Sequence, residues 1–164
     1  MFQQNVNVVQ APAVAGDFAS YNPRANMLSV PGGFVAGPAG LTVGLFAWVD
    51  STGTILANTG TGVPSCFIHR DMNATNYVYL SNATFLIPPG QAVGEMFTSG
   101  DFFVKNAGAS ATTIGMKAFA NLTNGTISFA ATGATVAGSI ETKWYAMTVN
   151  AAGELVKMSS TALG

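Results

Sequence analysis

Cys66 and His69 carry the most distinctive chemistry in this chain of 164 residues, because each is the only residue of its type. A thiol nucleophile needs a base within hydrogen-bond reach. Three residues apart, the two side chains would share one face of a helix but point to opposite faces of a strand. No flanking catalytic signature accompanies them, so the pattern favours a small buried thiol and a histidine that forms hydrogen bonds near a strand end.

The carboxylates make no stronger case for catalysis. Hydrolysis of a glycoside needs two of them facing each other across a cleft. Asp50, Asp101 and Glu154 instead fall in predicted turns or hairpins, where structural roles are commoner. One histidine, one cysteine and no clustered Asp or Asn predict no metal site, and no glycine-rich loop precedes a helix. We therefore expect no cofactor and no enzymatic activity, with a small hydrolase as the least favoured hypothesis.

Arg70 lies in the densest polar stretch, His69-Arg70-Asp71. In a structural role, Arg70 would form an ion pair with an aspartate and fix a loop. In a functional role it would anchor a partner chain, since arginine is over-represented at interface hot spots. The structural role is favoured, and both stay open at this point.

Charge is scarce throughout the chain. Charged residues make up 8% of the sequence, where about 25% is usual. A net charge of −1 argues against nucleic acid as a partner, and the 49% hydrophobic content argues against disorder. The N-terminus shows no signal-peptide pattern and no apolar run reaches membrane-spanning length, so no membrane partner is expected. A surface this poor in charge suits a protein packed against other protein.

Residues 1–40 differ from the rest of the chain. They are rich in Pro and Gly, which break long helices and central strands, yet they also carry aromatic and other large apolar side chains. This combination predicts an extended N-terminal arm laid on a surface. Residues 41–164 are predicted to form a single β domain.

Three predicted hairpins, at residues 41–57, 116–130 and 144–158, share a short turn rich in Asn, Asp and Gly. Such residues tolerate the positive φ that hairpin turns need. The shared plan is either an internal repeat or, as we favour, one common hairpin solution used three times.

Further short strands are predicted between these hairpins, and only residues 67–75 could hold a helical turn. The predicted fold class is all-β, a β-sandwich, jelly roll or barrel of short antiparallel strands. The additional strands are placed at residues 76–80, 83–87, 93–97 and 101–105.

A series of short motifs runs in order along most of the chain, at residues 11–20, 22–24, 57–64, 67–70, 87–90, 100–108, 119–120, 124–133 and 141–144. Taken together in this order, these motifs resemble the structural cement proteins of tailed-phage heads. One stretch departs from that family, because residues 71–77 are more polar than the family's corresponding segment.

The resemblance implies a non-enzymatic β protein on the outer surface of the phage capsid, made in the host cytoplasm. Its implied partners are the major capsid protein, whose neighbouring subunits it would bridge, and copies of itself in a dimer or trimer. The family supplies no catalytic residues. From the apolar arm and the arginines we expect capsid or neighbour contacts at Phe2, Phe18, Tyr21, Arg24, Phe34 and Arg70.

The alternative function is a carbohydrate-binding β-sandwich of a phage fibre or adhesin. Such a domain would present exposed aromatic rings to a sugar. The aromatic candidates for this role are Trp48, Tyr77, Tyr79 and Trp144.

Overall fold

The computed structural model describes residues 13–70 and 85–162, and over these ranges the chain forms fourteen strands and no helix. The all-β prediction is confirmed. The strands are β1 (Ala25–Asn26), β2 (Phe34–Ala36), β3 (Leu41–Thr42), β4 (Phe46–Val49), β5 (Ile55–Ala57), β6 (Cys66–Ile68), β7 (Leu86–Ile87), β8 (Ala92–Val93), β9 (Met96–Ser99), β10 (Asp101–Lys105), β11 (Lys117–Asn121), β12 (Ile127–Ala130), β13 (Ser139–Ala146) and β14 (Leu155–Ser159).

The strands form two large sheets and one small one. The seven-stranded sheet has the order β1-β9-β6-β4-β5-β2-β8, and the five-stranded sheet has the order β10-β14-β13-β11-β12. Strands β3 and β7 form a separate pair. Most pairings are antiparallel, and β2 with β5 is parallel.

The central strands of the seven-stranded sheet are buried on both faces. On β6, Phe67 joins the core shared with the five-stranded sheet, whereas Cys66 and Ile68 join a second core on the opposite face. Because successive side chains of a strand alternate between faces, one short strand supplies both cores. This explains why these strands read as continuous apolar runs rather than as an alternating pattern.

A layer of aromatic rings lies between the two large sheets. Phe102 is fully buried at its centre, with ring centroids 4.6 Å from Phe67, 5.3 Å from Phe97 and 5.8 Å from Trp144. Phe46 meets Trp144 at 6.2 Å. These separations are in the range of favourable tilted and edge-to-face ring contacts. The mutual orientation of the rings therefore stabilises the layer in addition to the burial of apolar surface.

The three predicted hairpins are present. Strand β4 pairs with β5, β11 with β12, and β13 with β14. The first predicted strand, residues 41–49, is divided into β3 and β4 at Gly44, whose φ of 75° does not suit a strand. The last hairpin has a longer first strand than predicted, beginning at Ser139.

Asn106 draws the two edges of the five-stranded sheet together. It follows β10, the strand at one edge, and makes a parallel bridge to Ile127 in β12, the strand at the other. Its buried side chain donates to the carbonyl of Ser110 at 2.8 Å and accepts from the amide of Gly108 at 2.9 Å. Because both polar atoms of this side chain have a partner, the amide can be buried here.

The helical turn predicted over residues 67–75 is wrong where it can be compared, because Phe67 and Ile68 belong to β6. Pairing with β4 and β9 on either side imposes the extended conformation there. Residues 71–84 lie outside the described residues, and with them the predicted strand 76–80 and the start of 83–87.

The described part of the predicted arm is mostly exposed or half-buried, but it supplies two strands. Strand β1 pairs with β9, and β2 lies between β5 and β8. The buried Phe34 therefore belongs to this subunit's own core. The division of the chain at residue 40 stays a prediction.

Phe102→Ala tests the aromatic layer. Because the ring is fully buried among other rings, its removal should lower the free energy of unfolding by about 3–5 kcal/mol. Phe103→Ala is the matched control, since the neighbouring side chain points to the other face and is only half-buried, with the Lys157 ammonium 5.7 Å from its ring. Chemical denaturation measures both, and equal losses would contradict the assignment of the core face.

Candidate interaction surface

Residues 14–19, called the bridging segment here, connect the two large sheets. The amide of Gly16 donates to the carbonyl of Phe103 at 2.7 Å, and the amide of Ala19 donates to the carbonyl of Asp101 at 2.9 Å. These bonds cover the outer edge of β10. The carbonyl of Gly16 accepts from the amide of Arg70, just after β6 in the other sheet, at 3.1 Å. The bridging segment is therefore held by main-chain bonds on both sides.

Close backbone approach makes glycine necessary in the bridging segment. A Cβ atom on Gly16 would lie 3.0 Å from Cβ of Arg70 and 3.2 Å from the nitrogen of Gly44, and Gly16 has a φ of +97°. Both the lack of space and the backbone conformation disfavour any other residue. Gly16 and Gly44 thus occupy the point where the backbone of the bridging segment approaches the backbone of residue 44 most closely.

Arg70 secures the same segment through its side chain. Its Nε atom lies 3.0 Å from Oδ1 of Asp17, and both side chains are partly exposed. The predicted ion pair with an aspartate is confirmed, and its effect is to hold residue 17 against the end of β6. A direct contact between Arg70 and a partner chain stays a prediction.

Phe18 anchors the bridging segment in the aromatic layer. Its ring stacks on His69 with centroids 3.9 Å apart, and it also meets Phe97 and Phe102, each at 5.4 Å. The guanidinium of Arg24 lies 3.8 Å from the centroid of the Phe18 ring, which is a cation–π arrangement. Phe18 is thus half-buried within the subunit, and Arg24 is exposed beside it.

Asp101 ties down the next residues of the chain. Oδ2 of this carboxylate accepts from the Ser20 hydroxyl and from the Asn22 side-chain amide, each at 2.6 Å. Partial burial by itself would raise the pKa of Asp101, but hydrogen bonds from Ser159, Ser20 and Asn22 outweigh it and hold the pKa below its usual value. The ionised form therefore fixes the chain on both sides of residue 21.

Tyr21 is fully exposed although the residues before and after it are fixed. Leu28 is 87% exposed, and the amide of its neighbour Met27 donates to the carbonyl of Met96 at 2.8 Å. Between them β1 is bonded to β9. Residues 20–28, called the anchored surface here, thus present two large apolar side chains to solvent from a firmly held backbone.

Cys66 and His69 do not form a nucleophilic pair. The Cys66 thiol faces the second core, and its burial raises its pKa to about 12. His69 stacks on Phe18 in the other core, and its Nδ1 lies 3.7 Å from Oε2 of Glu95. The two side chains point to opposite faces, as expected for a strand.

A metal site, a membrane-spanning helix and exposed tryptophan rings are also absent from the described residues. No group of three His, Cys, Asp or Glu side chains there could hold a metal ion. Within the same residues, no helix has the length and hydropathy needed to span a membrane. The rings of Trp48 and Trp144 are buried, so neither is presented to a carbohydrate, and Tyr77 and Tyr79 lie outside the described residues.

The six predicted contact residues therefore separate by environment. Tyr21 and Arg24 are exposed, Phe18 and Arg70 are half-buried and hold the bridging segment, and Phe34 is in the core. Phe2 lies outside the described residues. Leu28 is not among the six, and its large apolar side chain in a Pro/Gly-rich stretch is exposed as well.

The fold is similar to that of a chain in a solved phage capsid. A solved structure, "The capsid of Myoviridae Phage XM1", contains a chain that matches 97% of this chain over 96% of its own length, with a TM-score of 0.68 and 16% sequence identity. At that identity the likeness concerns the fold. A comparison with curated proteins gives no match.

The sequence itself defines the family. Residues 2–160 match the family described as XM1 gp53 minor capsid protein, and the chain belongs to this family. It is accordingly a structural protein of the phage capsid and is located in the virion.

The Asp101 anchor predicts a dependence of stability on pH. A carboxylate whose pKa is lower in the folded state stabilises fully above its unfolded pKa of about 3.9, and this contribution is lost as the pH falls through the lower folded value. We expect Asp101→Asn to be less stable than wild type at neutral pH, with the difference shrinking at acidic pH. Denaturant unfolding from pH 7 to pH 2 measures this difference. If the difference is the same at every pH, the charge of Asp101 does not contribute to the free energy of unfolding.

Proposed function

We propose that this minor capsid protein is a non-enzymatic cement protein that binds the outer surface of the assembled head and bridges neighbouring major capsid subunits. The observation that carries the proposal is the anchored surface, where Tyr21 and Leu28 are exposed on a backbone that is already fixed. Family membership supplies the capsid as the site of action.

A cement protein stabilises a shell by mass action. A protein that binds the assembled lattice and not the free subunits shifts the equilibrium towards the lattice. A standard interface of about 800 Å² per partner, repeated over the many copies of a head, gives a large total effect. Bridging follows if one copy touches two capsid subunits, because the second contact forms at high effective concentration.

The anchored surface has the properties of a good contact site. Its main chain is fixed before binding, so little conformational entropy remains to be lost when the partner arrives. A tyrosine offers a large rigid contact area and a hydroxyl that can still form a hydrogen bond at a partly wet interface. Arg24 is next to it, already oriented by Phe18.

The proposed arm is part of this contact. The bridging segment holds the anchored surface in place, and the proposal extends the contact to a neighbouring subunit along the part of residues 1–40 that precedes the buried strand β2. Because the bridging segment also completes the subunit's fold, removing residues 1–30 would disturb binding and stability together. Single substitutions at exposed positions separate the two effects.

Tyr21→Ala and Leu28→Ala test the contact. Since both side chains are exposed, the free energy of unfolding should change by less than about 0.5 kcal/mol. Affinity for heads that lack this protein should fall at least about tenfold for Tyr21→Ala, as for an interface hot spot. The measurement is co-sedimentation of purified protein with such heads.

Val63→Ala is the matched control, because Val63 is also a large apolar residue, 63% exposed, but lies outside the anchored surface. It should bind like wild type. Normal binding by both Tyr21→Ala and Leu28→Ala would contradict the assignment of the contact to residues 20–28.

Salt provides an independent test of the same contact. Several of the few charged groups are already engaged within the subunit, as in Asp17 with Arg70 and Lys117 over the Tyr145 ring at 3.8 Å. An apolar contact is little affected by screening, so raising NaCl from about 0.1 to 1 M should release little bound protein. Extensive release over this range, followed by co-sedimentation, would show that ion pairs hold the protein on the head.

A further inference from the structure

Arg24 is held in place in the middle of the anchored surface. Its guanidinium lies 3.8 Å from the centroid of the Phe18 ring, and the centroid of the His69 ring lies 3.9 Å from the same point. Two groups this close to one centroid must occupy opposite faces of the ring, so Phe18 is packed between Arg24 and His69. The stem of Arg24 is also confined, because a Cβ atom on Gly100 would lie 3.0 Å from Cβ of Arg24. The position of the guanidinium is therefore fixed before any partner binds.

The hydrogen-bonding edge of this guanidinium is unoccupied. Stacking on a ring uses the flat face of the group and leaves its N–H donors free. Arg24 is exposed, and within residues 13–70 and 85–162 its side chain forms neither a hydrogen bond nor an ion pair. The carboxylate of Asp101, which fixes the neighbouring residues, accepts instead from Ser20 and Asn22. Arg24 is thus a positioned cation without a counter-charge in the described part of the subunit.

A contact through the anchored surface would cover this cation. Arg24 lies between Tyr21 and Leu28 in the chain, so a partner that covers both of those side chains also covers the guanidinium. Removing a charge from water costs free energy unless the partner supplies an opposite charge in hydrogen-bonding geometry. An uncharged partner surface is therefore disfavoured at this position, because no carboxylate of the described residues neutralises Arg24.

We propose that Arg24 binds a carboxylate of the capsid subunit that the anchored surface contacts. A guanidinium matches a carboxylate with two parallel N–H···O bonds, which fix both the distance and the orientation of the partner. Tyr21 and Leu28 supply contact area, whereas Arg24 selects the position on the head at which they dock. Phe18 is a positioning residue in this arrangement, since it orients the guanidinium.

The inference rests on the proposed function and adds the chemistry of the group that is recognised. A single ion pair enclosed by apolar side chains is screened little by salt, so the expected resistance of the bound protein to NaCl is unchanged. What the pair contributes is specificity, because a head surface without a carboxylate at this point would leave the covered Arg24 without a partner.

Arg24→Met tests the inference. Methionine keeps a long side chain over the Phe18 ring but removes the charge and every N–H donor. Because Arg24 is exposed, the free energy of unfolding should stay close to that of wild type. Affinity for heads that lack this protein should fall at least about tenfold in co-sedimentation. Lys143→Met is the matched control, since it removes the same charge from an exposed side chain outside the anchored surface, and it should bind like wild type.

Chemically modified heads identify the group that Arg24 binds. Carbodiimide with glycinamide converts the exposed carboxylates of the heads into neutral amides. The ratio of the wild-type affinity to the Arg24→Met affinity, at least about tenfold on untreated heads, should fall to about one on amidated heads, because the partner of Arg24 has been removed. Comparing the two proteins on the same heads separates this effect from any other change that the treatment makes.

Equal binding of untreated heads by Arg24→Met and wild type would overturn the inference. An unchanged affinity ratio on amidated heads would overturn it as well, since Arg24 would then bind a group other than a carboxylate. Equal losses for Arg24→Met and Lys143→Met would assign the effect to net charge instead. In all three cases the contact through Tyr21 stands. The proposed function itself fails if wild type does not co-sediment with untreated heads, and the inference then fails with it.

Discussion

The subunit depends on the contact between two sheets through one layer of aromatic rings. Phe102, Phe67 and Trp144 come from three strands in two sheets, and their burial joins what would otherwise be two separate β structures. Thirteen of the fourteen described strands have only two to five residues, too few to be stable singly or in pairs, so their stability must come from this shared burial. Phe18 extends the layer to the N-terminal part of the chain, and the stacked His69 covers it. The anchored surface is ordered because its base belongs to the core.

Polar groups in this molecule mainly position the backbone. Thr112 and Asp101 bond to groups distant in sequence, Asn106 bonds within the loop that follows β10, and each fixes a loop or an edge of a sheet. Beside the ionised Asp101, the chain uses the amide of Asn106 and the hydroxyl of Thr112 for this purpose, and these two groups do not require the desolvation of an ion. The exterior therefore carries few charged groups among many apolar and small polar side chains. Such an exterior suits a protein of the virion, which works in contact with others.

Local structure could be predicted from the sequence, and long-range structure could not. The hairpins β4–β5 and β11–β12 follow from Asx and Gly turns between apolar strands, a signal contained within fifteen residues. The pairings β1–β9 and β2–β5 join very short strands across long stretches, and nothing local marks Ala25–Asn26 or Phe34–Ala36 as strands. The same limit applies to the surface: Tyr21 could be singled out by its residue type, but its exposure depends on Asp101, eighty residues away. The failure of the helical turn at Phe67 has the same origin, because β4 and β9 decide that conformation.

Because of the bridging segment, the N-terminal part of the described chain can take up its folded position only late in synthesis. Residues 14–19 lie against β10, and β10 is itself paired with β14, which comes far later in the sequence. The first described residues to leave the ribosome therefore wait for the last strand before they have a complete surface to bind. Long-range closure of this kind makes folding slow relative to helical proteins of similar length. Until β14 has been synthesised, the chain therefore lacks the paired β10 whose Asp101 holds the backbone on both sides of Tyr21.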